Sequence, residues 1–149
     1  MSVADLLNGM PFADHLGLEV VEAADGRAVV ELPMYGELSS VPGRQIAHGG
    51  VTYALADTAA GAAVISLTQD VSPTIDMRID YLAPAKTDLH ASAEVIRQGS
   101  SVAMVRVEIE DADGTRVATA QGTYKTGGQG GENPWESKNG NGSSPPSQD

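Results

Sequence analysis

Between residues 75 and 81 apolar and polar side chains alternate without a break: Ile75, Met77, Ile79 and Tyr81 are interleaved with Asp76, Arg78 and Asp80. A period of two puts the first set on one face of a strand and the second on the other, which predicts a half-buried strand. Three further strands are expected over 88–98, 102–111 and 116–125, the last two separated by Ala112-Asp113-Gly114. Upstream, 18–23 and 27–34 are β-branched runs on either side of Ala24-Asp25-Gly26, the pattern of a hairpin. Residues 3–16 hold Leu6, Leu7, Met10 and Phe12 in a loose cluster interrupted by Pro11, and predict one or two short helical turns. Residues 35–47 read as a loop.

From Val51 to about Leu67 the alternation gives way to a run of Ala, Gly, Val, Leu, Ile, Thr and Ser, with Tyr53, broken by one acid, Asp57. A helix there is apolar on all sides, so it has to be surrounded rather than laid on a surface. The element order is then a hairpin, one long helix and a four-strand meander. An antiparallel sheet curled around the helix meets its need for cover, and the expected class is α+β. The small residues of the helix let strands approach closely, at some cost in helix propensity at Gly61. Seventeen residues with a central acid fall short of the roughly 20 needed to span a bilayer, so no membrane partner is expected.

At 149 residues the chain is one domain's worth. Composition changes abruptly after Tyr124, and 1–126 is read as the folded domain, with 127–149 an expected disordered tail rich in Gly, Ser, Asn and Pro around Trp135. The absence of cysteine excludes disulfides, thiolate zinc sites and a Cys nucleophile, and no metal site is expected. With no basic leader in MSVADLLNGMPFADHLG, the reading is cytoplasmic. A net charge of −11, with three Lys among nine basic residues, argues against nucleic acid, which needs clustered cations. Acidity of this kind suits high salt, where the Debye length falls to about 3 Å at 1 M and self-repulsion is screened.

Asp57 lies mid-helix and cannot act as a cap, and a carboxylate among buried residues must be hydrogen-bonded, paired or shifted in pKa. It is therefore a site candidate, against the alternative of a structural acid tied to a neighbouring strand. Nine positions earlier, His48-Gly49-Gly50 precedes the helix. A helix start presents unpaired N–H groups and a partial positive charge, and glycines there let a ligand oxygen come close. The segment is a candidate oxyanion site or, alternatively, only a helix-entry turn.

The stretch AHGGVTYALADTAAGAA, followed by TIDMRIDYLAPA, resembles the hotdog-fold acyl-CoA thioesterases of the PaaI-like, phenylacetate-pathway type. The order of elements agrees over about residues 12–126, and the specific motifs occupy 46–60 and 74–85. The resemblance implies that the Gly49 N–H polarises the thioester carbonyl, that His48 orients it, that Asp57 activates water or attacks the carbonyl, and that Thr74 positions the water. Gly50 would line the substrate site. Many relatives carry an Asn shortly before His-Gly-Gly; the loop 36–47 has none, which leaves that role to Ser40 or Gln45 or vacant. Coenzyme A enters as part of the substrate, so no separate cofactor is implied. Its phosphates would need local cations, for which Arg97 and Lys86 are candidates, although relatives place a basic residue where this chain has Ser100. Solvated surface charge is the alternative for both.

Spacing adds a prediction about assembly. Gly49 and Asp57 are eight residues apart, or about 12 Å along a helix. An oxyanion donor and a base or nucleophile must both lie within about 3 Å of one reacting centre. A two-fold homodimer, with Gly49 of one chain facing Asp57 of the other, resolves the conflict, and the resemblance implies the same arrangement. Pairing of dimers into a homotetramer stays open. Two other functions compete: a non-catalytic acyl-CoA-binding module, and a hotdog dehydratase or hydratase, suggested by Pro42-Gly43-Arg44 but lacking its His and Glu, which are Ser40 and Leu55 here.

Overall fold

The computed structural model describes residues 1–127. The expected tail from residue 128 onward, with Trp135, lies outside the described residues. Two short helices open the chain, α1 (Val3–Asn8) and α2 (Pro11–Leu16). Ser2 and Asp5 close α1 with a reciprocal capping box. Pro11 begins α2 rather than interrupting a helix, because at the first helical position its missing N–H costs nothing.

The hairpin β1 (Glu19–Ala24) and β2 (Arg27–Leu32) follows, turned by Asp25 and Gly26, both at positive φ. That pair of angles is what a two-residue hairpin requires. The second Ala-Asp-Gly makes a different turn, in which only Gly114 has positive φ and Asp111 accepts the N–H groups of Asp113 and Thr115 through Oδ1. The long helix α3 runs Gly49–Thr68, and then come β3 (Thr74–Tyr81), β4 (Leu89–Gln98), β5 (Val102–Asp111) and β6 (Arg116–Lys125).

All six strands form one antiparallel sheet in the order β1-β2-β4-β5-β6-β3. This is the hotdog fold, and it corrects the expected four-strand meander. Of the last four strands, only β4, β5 and β6 are neighbours in chain order. β3 crosses to the far edge beside β6, and β4 closes on the hairpin through β2. The helix packs across one face of the sheet and touches all six strands, with its last turn against the hairpin, where Ser66 Oγ accepts the Gly26 N–H at 2.9 Å; residues 69–73 then carry the chain to β3 at the far edge.

Small residues on both sides permit the close packing. Ala56, Ala59, Ala60 and Ala63 of α3 and Ala91, Val105, Val107 and Ala118 of the sheet are fully buried. Leu32, Leu55, Leu89 and Ile109 fill the remaining volume. Each such aliphatic side chain contributes about 1.5–3 kcal/mol by leaving water.

Two further expectations need revision. The helix begins at Gly49, two residues before Val51, because His48 caps it, and its 20 residues are long and apolar enough by themselves to cross a membrane. Here it lies in the cup of the sheet. Nor is it surrounded within the chain: Gly50, Tyr53, Ala54, Asp57 and Gly61 form a strip that is only partly covered.

Candidate active site

Asp57 sits on that partly covered strip, in the third turn of α3. Two hydroxyls converge on one of its carboxylate oxygens. Thr74 Oγ1 donates to Asp57 Oδ1 at 2.7 Å, and the Tyr124 phenol donates to the same Oδ1 at 2.7 Å while lying 3.0 Å from the Asp57 carbonyl oxygen. No hydrogen bond reaches Oδ2 from the described residues.

A single irregularity of the sheet brings Thr74 here. By strict alternation Thr74 would share the outer face with Asp76, Arg78 and Asp80. The β3–β6 register slips between Thr74 and Asp76, so Thr74 lies opposite Tyr124 while Asp76 lies opposite Thr123. Directly opposed residues point to the same side of a sheet, so the bulge turns Thr74 inward with Tyr124. Tyr124 itself is 1% exposed. Its ring packs against Gly61 and fills the space that a side chain on Gly122 would need. Burial, and then the neighbouring Asp57 charge, push its phenol far above the usual tyrosine range, so it stays a protonated donor.

The second half of the chemistry lies at the start of α3. His48 is the N-cap, its Nδ1 accepting the Gly50 N–H at 2.9 Å, and the His48 carbonyl accepts from Val51 at 2.9 Å and Thr52 at 3.3 Å. Among the first-turn N–H groups, the one of Gly49 has no hydrogen-bond acceptor among the described residues. The Tyr81 hydroxyl donates to the Gly49 carbonyl at 2.7 Å, and a Cβ on Gly49 would come within 3.2 Å of that hydroxyl. The close approach accounts for glycine at this position. A cleft of about 460 Å³ opens beside it, lined by Ile46, Gly49, Thr52, Tyr81, Pro84 and Val117 among others.

Of the residues expected from sequence, Asp57 and Thr74 are in direct contact, and His48, Gly49 and Gly50 form the helix start. The two groups are separated by about 12 Å along the helix. Lys86 belongs to the Gly49 end, since the neighbouring Ala85 carbonyl accepts the Ala47 N–H at 2.8 Å. Arg97 belongs to the Asp57 end: it pairs with Met104, next to Ala103, which pairs with Tyr124 and so leads to Thr74. Three strand spacings, about 14 Å, separate Arg97 from Thr74. Ser40 and Gln45 hold the preceding loop, Gln45 by donating to the Lys86 carbonyl at 2.9 Å. The positions of a dehydratase's His and Glu fare no better than in the sequence, since Leu55 is 0% exposed in the core.

Neither Tyr124 nor Tyr81 stands out in the sequence as a site candidate. A signal for Tyr124 existed: the inward positions of 116–125 are Ala118, Ala120, Gly122 and Tyr124, one phenol at the end of a row of small residues.

Residues 45–118 match the model of the Thioesterase superfamily. A Halobacterium salinarum protein that carries the provisional name of esterase is 37% identical, over 74% of this chain and 80% of that protein. The chain belongs to the thioesterase superfamily. Among other relatives of this thioesterase-superfamily chain, a medium/long-chain acyl-CoA thioesterase of Salmonella typhimurium is 31% identical, over 79% of this chain and 86% of its own length. The E. coli PaaI protein from the phenylacetic acid degradation operon superposes with a TM-score of 0.74 at 27% identity, covering 82% of this chain and 88% of that one. Acyl-CoA thioesterase activity is thus supported at the level of the family.

Proposed function

We propose that this chain hydrolyses an acyl-CoA thioester to the free acid and coenzyme A, with Asp57 as general base and the Gly49 N–H as oxyanion donor. The observation that carries the reading is the asymmetric fixing of Asp57: two hydroxyls hold Oδ1, and Oδ2 is left open on a partly exposed strip. Thr74 spends its proton on Asp57, so its oxygen can only accept. A water that donates one proton to Oδ2 and one to Thr74 Oγ1 presents its lone pair outward. That lone pair attacks the thioester carbon as Oδ2 takes the proton, and negative charge grows on the carbonyl oxygen, where a preorganised N–H is most effective. Collapse breaks the C–S bond, and the leaving thiolate recovers the proton from Asp57.

The reaction needs Gly49 and Asp57 at one carbon, and about 12 Å of helix lies between them. A second copy of the chain supplies the missing half in a two-fold homodimer, covering the open strip of α3 and the unpaired edge of β3, where Ile75 is 58% exposed. In such a dimer Lys86 of one chain and Arg97 of the other would flank the same site, where coenzyme A phosphates could be met. Thiol release from a panel of aromatic, branched and medium-chain acyl-CoAs tests the reading, with Asp57→Asn as the control. Binding without release by both proteins would favour a non-catalytic acyl-CoA module. Single turnover in 18O-water separates the two roles of Asp57: label in the product acid is expected, and label recovered in Asp57 would make it the nucleophile.

A further inference from the structure

Tyr124 lies outside the substrate-facing strip, yet its hydroxyl makes one of the two hydrogen bonds to the carboxylate of Asp57. We propose that Tyr124 is a positioning residue for hydrolysis, fixing the Asp57 carboxylate so that Oδ2 alone faces the substrate. The proposal rests on Asp57 being the base.

The geometry is specific. A lone hydroxyl on Oδ1 would leave the carboxylate free to swing about its terminal torsion, which is broad for Asp. Thr74 from β3 and Tyr124 from β6 approach Oδ1 from two strands at 2.7 Å each and pin that rotation. The phenol is anchored in turn. It packs where Gly61 and Gly122 leave room; a Cβ on Gly122 would come within 2.9 Å of the ring. Burial favours the protonated phenol, which keeps Tyr124 a donor to Asp57. The other titratable group facing the pair is Tyr53, one turn earlier on α3, whose hydroxyl donates to the Met77 carbonyl of β3 at 3.1 Å. No arginine, lysine or histidine among the described residues forms an ion pair with Asp57.

The test is Tyr124→Phe in the full chain, which keeps the ring and removes only the donor. Loss of a hydrogen bond to a charged group lowers kcat by about 10- to 100-fold, with KM little changed. Removing a donor to the carboxylate disfavours the ionised form that acts as base, so the acid limb of kcat/KM moves to higher pH. A merely structural tyrosine would leave that limb in place. An unshifted limb with wild-type kcat overturns the proposal. The control Asp57→Asn separates this failure from failure of the underlying reading: if Asp57→Asn keeps turnover, Asp57 is not the base. Should Tyr124→Phe fail to fold, 3-fluorotyrosine introduced at position 124 alone keeps the shape and strengthens the donor. The limb then moves to lower pH, and an unmoved limb overturns the proposal.

Discussion

Thr74 and Asp57, seventeen residues apart in the chain, are joined by a 2.7 Å hydrogen bond that depends on a bulge in β3 between Thr74 and Asp76. The bond ties the edge strand to the central helix at the point where chemistry is proposed. Its removal and the removal of the carboxylate should have unequal effects. Asp57→Asn is expected to abolish turnover with the fold intact, whereas Thr74→Ala, with Tyr124 still holding Oδ1, should lower kcat by about tenfold. Steady-state kinetics beside thermal melts checks both, and equal losses would mean that Thr74 does more than orient.

Two half-sites in one chain make complementation possible. Asp57→Asn and Gly49→Val should each be inactive as homodimers. Co-refolded in equal amounts, half of the dimers are mixed and each of these holds one intact site, so about a quarter of wild-type activity should return. No recovery, despite mixed dimers on native mass spectrometry, would place both functions within a single chain.

At Gly49 the crowding by Tyr81 gives a graded expectation. Gly49→Ala sets a Cβ about 3.2 Å from the Tyr81 hydroxyl. Tyr81 is 54% exposed and can move aside, so the fold should survive while the N–H is displaced, with kcat reduced by about 10- to 100-fold. Adding Tyr81→Phe removes the clashing oxygen and should recover part of the loss. An unchanged double variant would show that the cost comes from the backbone of Gly49 itself.

Much of this arrangement is legible in the sequence, for identifiable reasons. The period-2 run of β3, the Asp25-Gly26 turn and the all-round apolar helix are local patterns, and each yields its element. The place of β3 in the sheet is not local, since it rests on pairing with β6, the last of the six strands. Asp57 stands out as a lone acid in an apolar run. Thr74 does not: alternation assigns it to the outer face, and only the bulge reverses that. Tyr124 is hidden more deeply, because its partner lies 67 residues away and nothing near it in the chain is charged except Lys125.

The surface charge makes a separate prediction. Twenty acidic residues face nine basic ones. The ion pairs found, such as Arg27–Glu94 and Arg116–Glu108, are exposed and individually weak. Screening of net repulsion should raise the melting temperature between dilute buffer and about 1 M salt. A midpoint that stays level or falls would remove high-salt adaptation as the reason for the acidity.

The strand order also bears on how the protein is made. β2 waits for β4 across some sixty residues, and β3 finds its place only when β6, the last of the six strands to leave the ribosome, lies down beside it. Contacts of such long range predict slow folding, and the edge strand stays unpaired until the end. The carboxylate of Asp57 acquires its tyrosine in the same closing step, so a nascent chain halted before residue 124 holds the base but not the geometry to use it.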